Sequence, residues 1–267
     1  DAGIPIRIYH AHNTRMETDR KTLFRLYLIW LCKKHITHRF SCGKNAARWF
    51  YGDQNQEEIV IMNNAVDSKT FRFDATKSQQ IKKELGIEDK LAIGHIGRFN
   101  TQKNHEFIIE IFKEIHDIDN QTVLLLAGEG ELQERIKQKV KMLGIENSVM
   151  FLGMRNDIES LINGFDVFLL PSLFEGLPVT LIEAQSNGLK CFVSQNVPTE
   201  SNLTGNVEFI SLNKKASYWG EKILSCKAGY ERKNFSQEIE RSGFEITKEA
   251  PKLCELYLNY YRKSLGI

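Results

Sequence analysis

The segment LAIGHIGRFNTQKNHEFIIEIFKEIHDIDNQTVLLLA, residues 91–127, contains a strand pattern, a helix pattern and a second strand pattern. Largely apolar runs predict strands over 91–99 and 123–127. Between them, a helix is predicted from His105 to about Ile118, because four large apolar residues recur at helical spacing: Ile108, Ile111, Phe112 and Ile115. A strand, a helix and a further strand in this order predict two parallel strands joined by a crossing helix.

The same alternation continues towards the carboxyl terminus. The predicted strands are continuous apolar runs, which is typical of strands covered by helices on both faces. These patterns predict an α/β fold with a doubly wound parallel sheet. The further predicted elements are helices over 132–143, 157–164 and 178–187, and strands over 149–152, 167–170, 191–194 and 208–211.

The residues before this region indicate part of a second domain. A strand is predicted over 6–11, a basic amphipathic segment runs from Arg20 to Arg39, and a short strand is predicted over 59–62. We place the boundary near Phe73, after a turn-rich segment. A last helix is predicted over about 247–265, and its wide apolar face must pack against another part of the protein.

Composition excludes several classes of protein. The chain has 267 residues, 42% hydrophobic and 26% charged, which excludes a disordered or fibrous protein. Its 36 basic and 34 acidic residues give a net charge of +2, too small for nucleic-acid binding by electrostatics alone. Five cysteines without a Cys-x-x-Cys pair indicate reduced thiols in the cytoplasm. No apolar run is long enough to span a membrane, and we find no signal-peptide pattern.

Ligands of parallel sheets bind beyond the carboxyl ends of the strands, so the loops after the strands are the candidate site. The loop after the first strand of the sheet carries Arg98 and Lys103. Two cations that converge there suit a diphosphate. The alternative is that both are solvated loop charges.

A second loop, residues 171–178, leads into the helix predicted over 178–187. Pro178 suits the first helical position, and the N–H groups of a helix start bind anions. Glu175 lies in this loop and Glu183 follows about two turns into the helix, where both carboxylates suit sugar and ribose hydroxyls. Glu183 has the alternative of a surface carboxylate, but its apolar neighbours favour a buried hydrogen-bonding role.

The third loop follows the strand predicted over 123–127 and contains Gly128 and Gly130. Two glycines between a strand and a helix resemble a dinucleotide-binding fingerprint. The fingerprint requires a third glycine where Gln133 stands, so we reject it. The two glycines permit either the close approach of a ligand or a plain tight turn. The backbone around Arg155, after the next strand, is placed to contact a base edge.

Taken together, these motifs resemble the family-four retaining glycosyltransferases, which have the GT-B fold of two Rossmann-like domains. The resemblance rests on Gly97-Arg98-Phe99 with Lys103, on Gly128-x-Gly130, and above all on the Glu-x7-Glu element from Glu175 to Glu183. The sequence over 171–188 is most similar to that of the family's exopolysaccharide and capsule branch. The segment over 64–67 resembles the family's interdomain segment, with alanine in place of glycine.

The resemblance implies a role for each matching residue. His12, with His10 as the other candidate, faces the donor sugar, while Glu175 holds sugar hydroxyls and Glu183 the ribose. Arg98, Lys103 and the helix start neutralise the diphosphate. We expect no Asp-x-Asp element between the strands, and therefore neither a metal nor another cofactor. The implied donor-binding residues are Gly97, Arg98, Lys103, Gly128, Gly130, Arg155, Glu175, Gly176, Leu177, Thr180 and Glu183.

The implied function is the transfer of a hexosyl or N-acetylhexosaminyl group from a UDP-sugar to a lipid-linked glycan acceptor, with retention at the anomeric carbon. The transfer would belong to extracellular or capsular polysaccharide synthesis. We expect a cytoplasmic protein, at the inner face of the membrane if Arg20–Arg39 meets anionic lipid; the alternative for that segment is an ordinary packed helix. The alternative functions are a nucleotide-sugar epimerase with the GT-B fold and a non-catalytic nucleotide-binding module.

The resemblance also implies a domain organisation. Residues 1–72 correspond to the end of the acceptor-side domain, 73–246 to the donor-binding domain, and 247–267 to a helix that crosses back towards the first domain. The glycine-rich loop and first strand of the acceptor-side domain have no counterpart here. We therefore expect the 267-residue chain to be inactive in transfer.

Overall fold

A computed structural model describes residues 3–14, 20–53 and 56–267. The helices are α1 (Thr22–His35), α2 (Lys44–Tyr51), α3 (Ala75–Glu84), α4 (His105–Ile118), α5 (Gln133–Met142), α6 (Ile158–Leu161), α7 (Val179–Ser186), α8 (Ala216–Leu224), α9 (Ser236–Arg241) and α10 (Ile246–Leu265). The strands are β1 (Ile8–Ala11), β2 (His38–Ser41), β3 (Ile59–Ile61), β4 (Leu91–Ile96), β5 (Thr122–Ala127), β6 (Val149–Gly153), β7 (Val167–Leu170), β8 (Lys190–Ser194) and β9 (Val207–Ile210).

The chain forms two compact units. The first unit comprises Asp1–Ala65, Glu175–Leu177 and Gly243–Ile267. The second unit comprises Val66–Phe174 and Pro178–Ser242. Each contains a parallel sheet of its own.

The sheet of the second unit has six parallel strands in the order β6-β5-β4-β7-β8-β9. Every residue of β4, β5 and β7 is buried. Consecutive residues of β5 belong to two different apolar clusters, as expected for side chains that point to opposite faces of the sheet. Leu124 belongs to the cluster of Phe112 and Trp219, and Leu125 belongs to the cluster of Phe168. Both faces of the sheet are therefore covered, which confirms the predicted doubly wound α/β fold.

Helix α4 shows how the sequence specifies this packing. It spans the predicted residues, and its apolar face is fully buried against the sheet. Loss of a large buried ring such as that of Phe112 would cost about 3–5 kcal/mol. In the adjacent strand, a side chain on Gly94 would lie 2.0 Å from the Phe165 ring, so only glycine fits beneath that ring.

The first unit has three parallel strands in the order β1-β2-β3. Helix α2 buries Ala46, Ala47 and Phe50. In the last helix, α10, Tyr260 packs on β2, where its ring lies 3.9 Å from that of His38. The contact covers only part of the apolar face that the sequence predicts there, because Tyr257 and Tyr261 are exposed.

The segment from Arg20 to Arg39 differs from the prediction of one continuous amphipathic stretch. Helix α1 ends at His35 because Ile36 is extended and the chain then enters β2. Arg39 lies in that strand and pairs with Glu58 at 3.4 Å. No residue of α1 is buried, and Leu23, Phe24, Leu26, Tyr27 and Trp30 are all exposed.

Other elements also differ from the predictions. The strand predicted over 91–99 ends at Ile96, because the next residues form a loop that bonds to the neighbouring strand's loop. Strand β2 and helices α2, α3, α8 and α9 are present in the structure but are not among the predicted elements. Across the described parts of the chain, no helix is both long and apolar enough to span a membrane.

Candidate functional site

The candidate site begins at the carboxyl edge of the second unit's sheet, where three loops are joined by backbone hydrogen bonds. Gly97 N–H donates to Ala127 O over 3.0 Å, and Gly128 N–H donates to Gly153 O over 2.8 Å. Phe99 N–H donates to Glu129 O over 3.0 Å. The loops after β4, β5 and β6 therefore form one connected rim.

The glycines of this rim are required by packing between loops. A side chain on Gly128, whose φ is +127°, would begin 2.2 Å from Gly97 O. One on Gly130 would begin 2.4 Å from Phe99 O. Contact with the backbone of a neighbouring loop is sufficient to explain both glycines, and their place in a donor site stays a prediction.

The two predicted diphosphate ligands differ in their surroundings. The Arg98 side chain is 72% exposed and pairs with Glu131 at 3.2 Å. Such an exposed ion pair contributes little and is readily exchanged for a ligand. Lys103 is half-buried and its side chain passes close to Gly97. A Cβ atom on Gly97 would lie 3.2 Å from Lys103 Cδ and 3.1 Å from Lys103 Cε.

Two buried histidines, which the sequence analysis did not identify, lie beside Lys103. His95 Nδ1 contacts Leu169 O at 2.8 Å, and because a carbonyl only accepts, Nδ1 carries the proton. His105 stacks on Phe99 with ring centroids 4.0 Å apart and meets His95 edge to face at 4.8 Å.

Burial keeps both rings neutral. It lowers the pKa of His95 well below its usual value, with His105 and Lys103 adding to the effect. Burial, with Lys103 nearby, lowers the pKa of His105 to about 4. Among the described residues, His95 Nε2 and both ring nitrogens of His105 have no hydrogen-bond partner. Their only sequence signal is a histidine at the end of a buried strand and another at the start of the next helix.

The loop after β7 is joined to the loop after β4. Asn104 Nδ2 donates to Pro171 O over 3.1 Å, and Leu173 N–H donates to Gln102 O over 2.8 Å. Ser194 Oγ also donates to Ser172 O over 2.5 Å. Residues 171–173 are thereby fixed to the loop that carries Lys103.

The start of α7 differs slightly from the prediction. Pro178 is the extended residue before the helix, and Val179 is the first helical residue. Within the described chain, no side chain caps this helix by a hydrogen bond, and the buried Oγ1 of Thr180 has no partner. The helix start thus remains suited to an anion.

Glu183 lies one turn further into α7. Burial raises the pKa of its carboxyl group to about 7, and the nearby Glu159 adds to the effect. A half-buried carboxylate of this kind gains from hydroxyl groups that donate hydrogen bonds to it.

Within the first unit, His12 lies against the segment 175–177. Thr14 Oγ1 donates to Glu175 O over 2.7 Å, and a side chain on Gly176 would begin 2.6 Å from His12 O. Glu175 is buried, whereas His12 is exposed. The sequence separates these residues by about 160 positions, so their contact is a result of folding alone.

The neighbouring His10 is less accessible than His12. Its ring lies 4.3 Å from that of His12, and burial is the main cause that lowers its pKa. The greater exposure of His12 favours it as the residue that meets a substrate. Its alignment with the family's histidine stays a prediction.

Arg155 forms a bidentate ion pair with Asp157, with Nε–Oδ1 and NH2–Oδ2 distances of 2.7 and 2.5 Å. Asp157 is the residue before α6, but its carboxylate accepts hydrogen bonds from Arg155 and does not cap the helix. The Arg155 guanidinium is thus already paired, and the predicted base contact would come from the backbone.

An Asp-x-Asp element does occur, at Asp117-Ile118-Asp119, at the end of α4. It precedes β5 and therefore lies at the amino edge of the sheet, opposite the edge where ligands bind. Asp117 pairs with Lys113 at 2.5 Å, and Asp119 pairs with Lys227 at 2.5 Å. Among the described residues, we find no group of three or more His, Cys, Asp or Glu side chains that could hold a metal ion.

Folding therefore collects the predicted residues in two groups. The rim of the second unit holds Gly97, Arg98, Lys103, Gly128, Gly130 and Arg155, with Thr180 and Glu183 on α7 of the same unit. The first unit holds His12, Glu175, Gly176 and Leu177.

Known proteins resemble this chain over most of its length. The model of a family described as glycosyl transferases group 1 matches residues 77–239. The putative glycosyltransferase EpsF of Bacillus subtilis (strain 168) is 32% identical over 265 residues, which are 96% of this chain and 69% of that protein. The UDP-Gal:alpha-D-GlcNAc-diphosphoundecaprenol alpha-1,3-galactosyltransferase of Escherichia coli is 30% identical over 280 residues, which are 97% of this chain and 70% of that protein.

Solved structures share the fold. Anabaena Alr3699/HepE in complex with UDP and glucose superposes with a TM-score of 0.78 at 18% identity, over 94% of this chain and 70% of that one. WaaG, a glycosyltransferase involved in lipopolysaccharide biosynthesis, superposes with a TM-score of 0.67 at 15% identity, over 90% of this chain and 70% of that one.

Proposed function

The chain belongs to the group 1 glycosyltransferases with the GT-B fold, and from that premise we propose that it moves a hexosyl or N-acetylhexosaminyl group from a UDP-sugar to a glycan acceptor, with retention at the anomeric carbon. The observation that carries the proposal is the rim of the second unit, where Arg98 and Lys103 follow a buried central strand. UDP as the donor nucleotide is supported by the UDP complex of the Anabaena protein and by the name of the Escherichia coli relative.

Charge neutralisation of the leaving group is the main task of this site. The bond to the anomeric carbon breaks towards a diphosphate, so groups that stabilise negative charge on it lower the barrier. Arg98 and Lys103 supply two cations, and the start of α7 adds backbone N–H groups and the Thr180 hydroxyl. The Asn104–Pro171 bond keeps these two anion-binding segments together.

Hydroxyl recognition is assigned to the two carboxylates. We propose that Glu183 accepts hydrogen bonds from the ribose, because a half-buried carboxylate with a raised pKa gains most from such donors. We propose that Glu175 holds hydroxyls of the donor sugar, and that His12, in contact with the same segment, faces that sugar. Retention and the Glu-x7-Glu role rest on the family resemblance.

The acceptor is proposed to be a lipid-linked glycan of a surface polysaccharide. The Escherichia coli relative is named for a diphosphoundecaprenol acceptor, and a further relative is an O-antigen biosynthesis glycosyltransferase. Helix α1 exposes a row of apolar side chains and ends on Lys33, Lys34 and His35, which is typical of a surface that meets anionic lipid. We propose residues 1–72 as acceptor-side, 73–246 as donor-binding and 247–267 as the connecting helix.

Calorimetry with UDP, ADP and GDP tests the nucleotide assignment. We expect UDP to bind best, and we expect Glu183→Gln to weaken UDP more than inorganic pyrophosphate, because pyrophosphate lacks ribose. Glu134→Gln, an exposed glutamate at the start of α5, is the matched control. Equal losses for UDP and pyrophosphate would place Glu183 away from the ribose.

Product analysis tests the reaction itself. Incubation with a UDP-sugar alone should leave the sugar unchanged, and a glycan product should require an acceptor. A changed sugar without an acceptor would identify an epimerase. Nucleotide binding without any reaction, in a protein that includes the whole acceptor side, would identify a binding module.

The lipid proposal is tested by vesicle flotation. We expect the protein to float with vesicles that contain anionic lipid and less so after Lys33→Glu with Lys34→Glu. Equal flotation with neutral vesicles would overturn a charge-dependent membrane contact.

A further inference from the structure

Beside the proposed diphosphate site, the side chains of His95 and Lys103 share one small space next to Gly97. The point where a Gly97 side chain would begin lies 3.0 Å from His95 Nε2, 3.1 Å from Lys103 Cε and 3.2 Å from Lys103 Cδ. The aliphatic stem of Lys103 therefore runs past the ring edge of His95. Glycine at 97 leaves just enough room for both.

The free edge of His95 is a hydrogen-bond acceptor. Nδ1 donates to Leu169 O, and a neutral imidazole with its proton on Nδ1 has a lone pair on Nε2. His95 is fully buried, and Nε2 has no hydrogen-bond partner among the described residues. A buried acceptor without a partner is costly, so it requires a donor that can reach it.

Lys103 is the cationic donor at hand. Its charge lies near enough to contribute to the lowered pKa of both His95 and His105. An ammonium group has three N–H donors, so it can donate to a histidine and to a diphosphate at the same time. His105, stacked on Phe99 and packed edge to face on His95, closes the other side of the space.

We propose that His95 is a positioning residue for Lys103: as a nucleotide binds, the Lys103 ammonium turns to donate to His95 Nε2 and is thereby aimed at the diphosphate. His105 is the neutral wall that keeps water away from this contact. This role rests on the proposed nucleotide site and deepens it, because it gives the way in which that site's half-buried cation is held. Neither histidine touches the ligand.

A double-mutant cycle in nucleotide binding tests the proposal. Asparagine at 95 keeps an N–H group near Nδ1 for Leu169 O and places nothing at Nε2. We expect His95→Asn to weaken UDP binding about fivefold or more and to leave uridine binding unchanged, because uridine has no phosphate. In the Lys103→Ala background, the same substitution should change UDP affinity less than about twofold.

A second variant reaches the same contact without removing a buried polar group. Gly97→Ala introduces a methyl group within 3.0–3.2 Å of His95 Nε2 and the Lys103 stem, so the lysine must shift. Its effect on UDP should also disappear in the Lys103→Ala background. This variant decides the question should His95→Asn fail to fold.

His116→Asn is the matched control, since His116 lies near the far end of α4 and also has a buried ring nitrogen without a partner among the described residues. We expect it to bind UDP as the unchanged protein does.

The outcomes separate this inference from the proposed function. Unchanged UDP binding by Lys103→Ala would overturn the nucleotide site and this inference with it. Weak binding by Lys103→Ala, together with unchanged binding by His95→Asn and Gly97→Ala, would overturn the inference alone. Equal losses for UDP and uridine, or losses that persist without Lys103, would show that His95 only supports the fold.

Discussion

The side-chain amide of Asn104 donates to the carbonyl oxygen of Pro171 over 3.1 Å. Asn104 ends the loop after β4, and Pro171 begins the loop after β7, so one side chain joins the two segments that are proposed to surround the diphosphate. Asn104 also has a φ of +57°, a left-handed conformation that asparagine adopts more readily than most residues. The residue thus serves both the backbone turn and the junction of the loops.

Asn104→Ala is expected to lower the free energy of unfolding by about 1–3 kcal/mol, because it loses the hydrogen bond and strains the backbone. Asn104→Gly loses only the bond and relieves the strain, so it should cost less. Urea denaturation of both variants measures the difference. Asn120→Ala, at an exposed position before β5, is the control, and equal stability of the alanine and glycine variants would contradict the backbone argument.

Arg98→Ala and Lys103→Ala are each expected to weaken UDP binding by about 1.5–3 kcal/mol, the usual contribution of a charge-assisted contact. Arg135→Ala is a matched control, because Arg135 is also 72% exposed and also pairs with a glutamate, Glu106. Calorimetry with UDP measures all three. Wild-type affinity in both Arg98→Ala and Lys103→Ala would exclude the loop after β4 as the diphosphate site.

Glu183 should make stability depend on pH. Its pKa is about 7 in the folded chain against an ordinary 4.5, so the folded state holds the proton more tightly than the unfolded state. Stability is therefore lost as pH rises from about 4.5 to 7. Relative to the unchanged protein, Glu183→Gln should gain about 2–3 kcal/mol between pH 5 and pH 8, because glutamine stays neutral.

Urea denaturation of both proteins at the two pH values measures this gain. Glu134→Gln, whose carboxylate is exposed, should show no such difference. A constant difference between Glu183→Gln and the unchanged protein would mean that the Glu183 carboxyl group is ionised throughout this range.

The sequence predicts the second unit well because its strands are buried on both faces. Helix α4 and strand β7 have the predicted limits, His105–Ile118 and Val167–Leu170. Membership of the group 1 glycosyltransferases and the α/β fold of GT-B type are also confirmed, whereas the role of the Glu-x7-Glu element stays a prediction. Helix α3 escaped prediction because Ile81 is its only buried residue, and β2 because half of its short sequence, HRFS, is basic.

The candidate site is less visible in the sequence. The motif identifies Arg98 and Lys103. A histidine in an apolar run is as typical of a protein core as of a functional site, so the sequence does not identify His95. Its significance comes from the Lys103 stem beside Nε2 and from the ring of His105, both of which depend on folding. The contact of Gly176 with His12 O likewise joins distant parts of the chain.

The 267-residue chain itself is expected to bind UDP but not to transfer sugar. Arg98, Lys103, the start of α7 and Glu183 all lie in the second unit, so nucleotide affinity should be retained. Transfer also requires an acceptor held against the anomeric carbon, a positioning effect that supplies about 7–11 kcal/mol in favourable cases. The chain spans 69% and 70% of the two relatives that it matches along nearly its whole length, and we propose that the remainder of such a protein completes the acceptor side.

Calorimetry with UDP, followed by an assay with a UDP-sugar and a lipid-linked acceptor, separates the two activities. The Escherichia coli galactosyltransferase relative, assayed beside it with its own donor, serves as the positive control for transfer. Binding without product is the expected result, because the residues proposed to hold the donor lie in the second unit, whereas transfer also requires residues that align the acceptor. Transfer at a rate comparable with that of the relative would show that residues 1–72 already contain the acceptor site, and the proposed domain organisation would then be wrong.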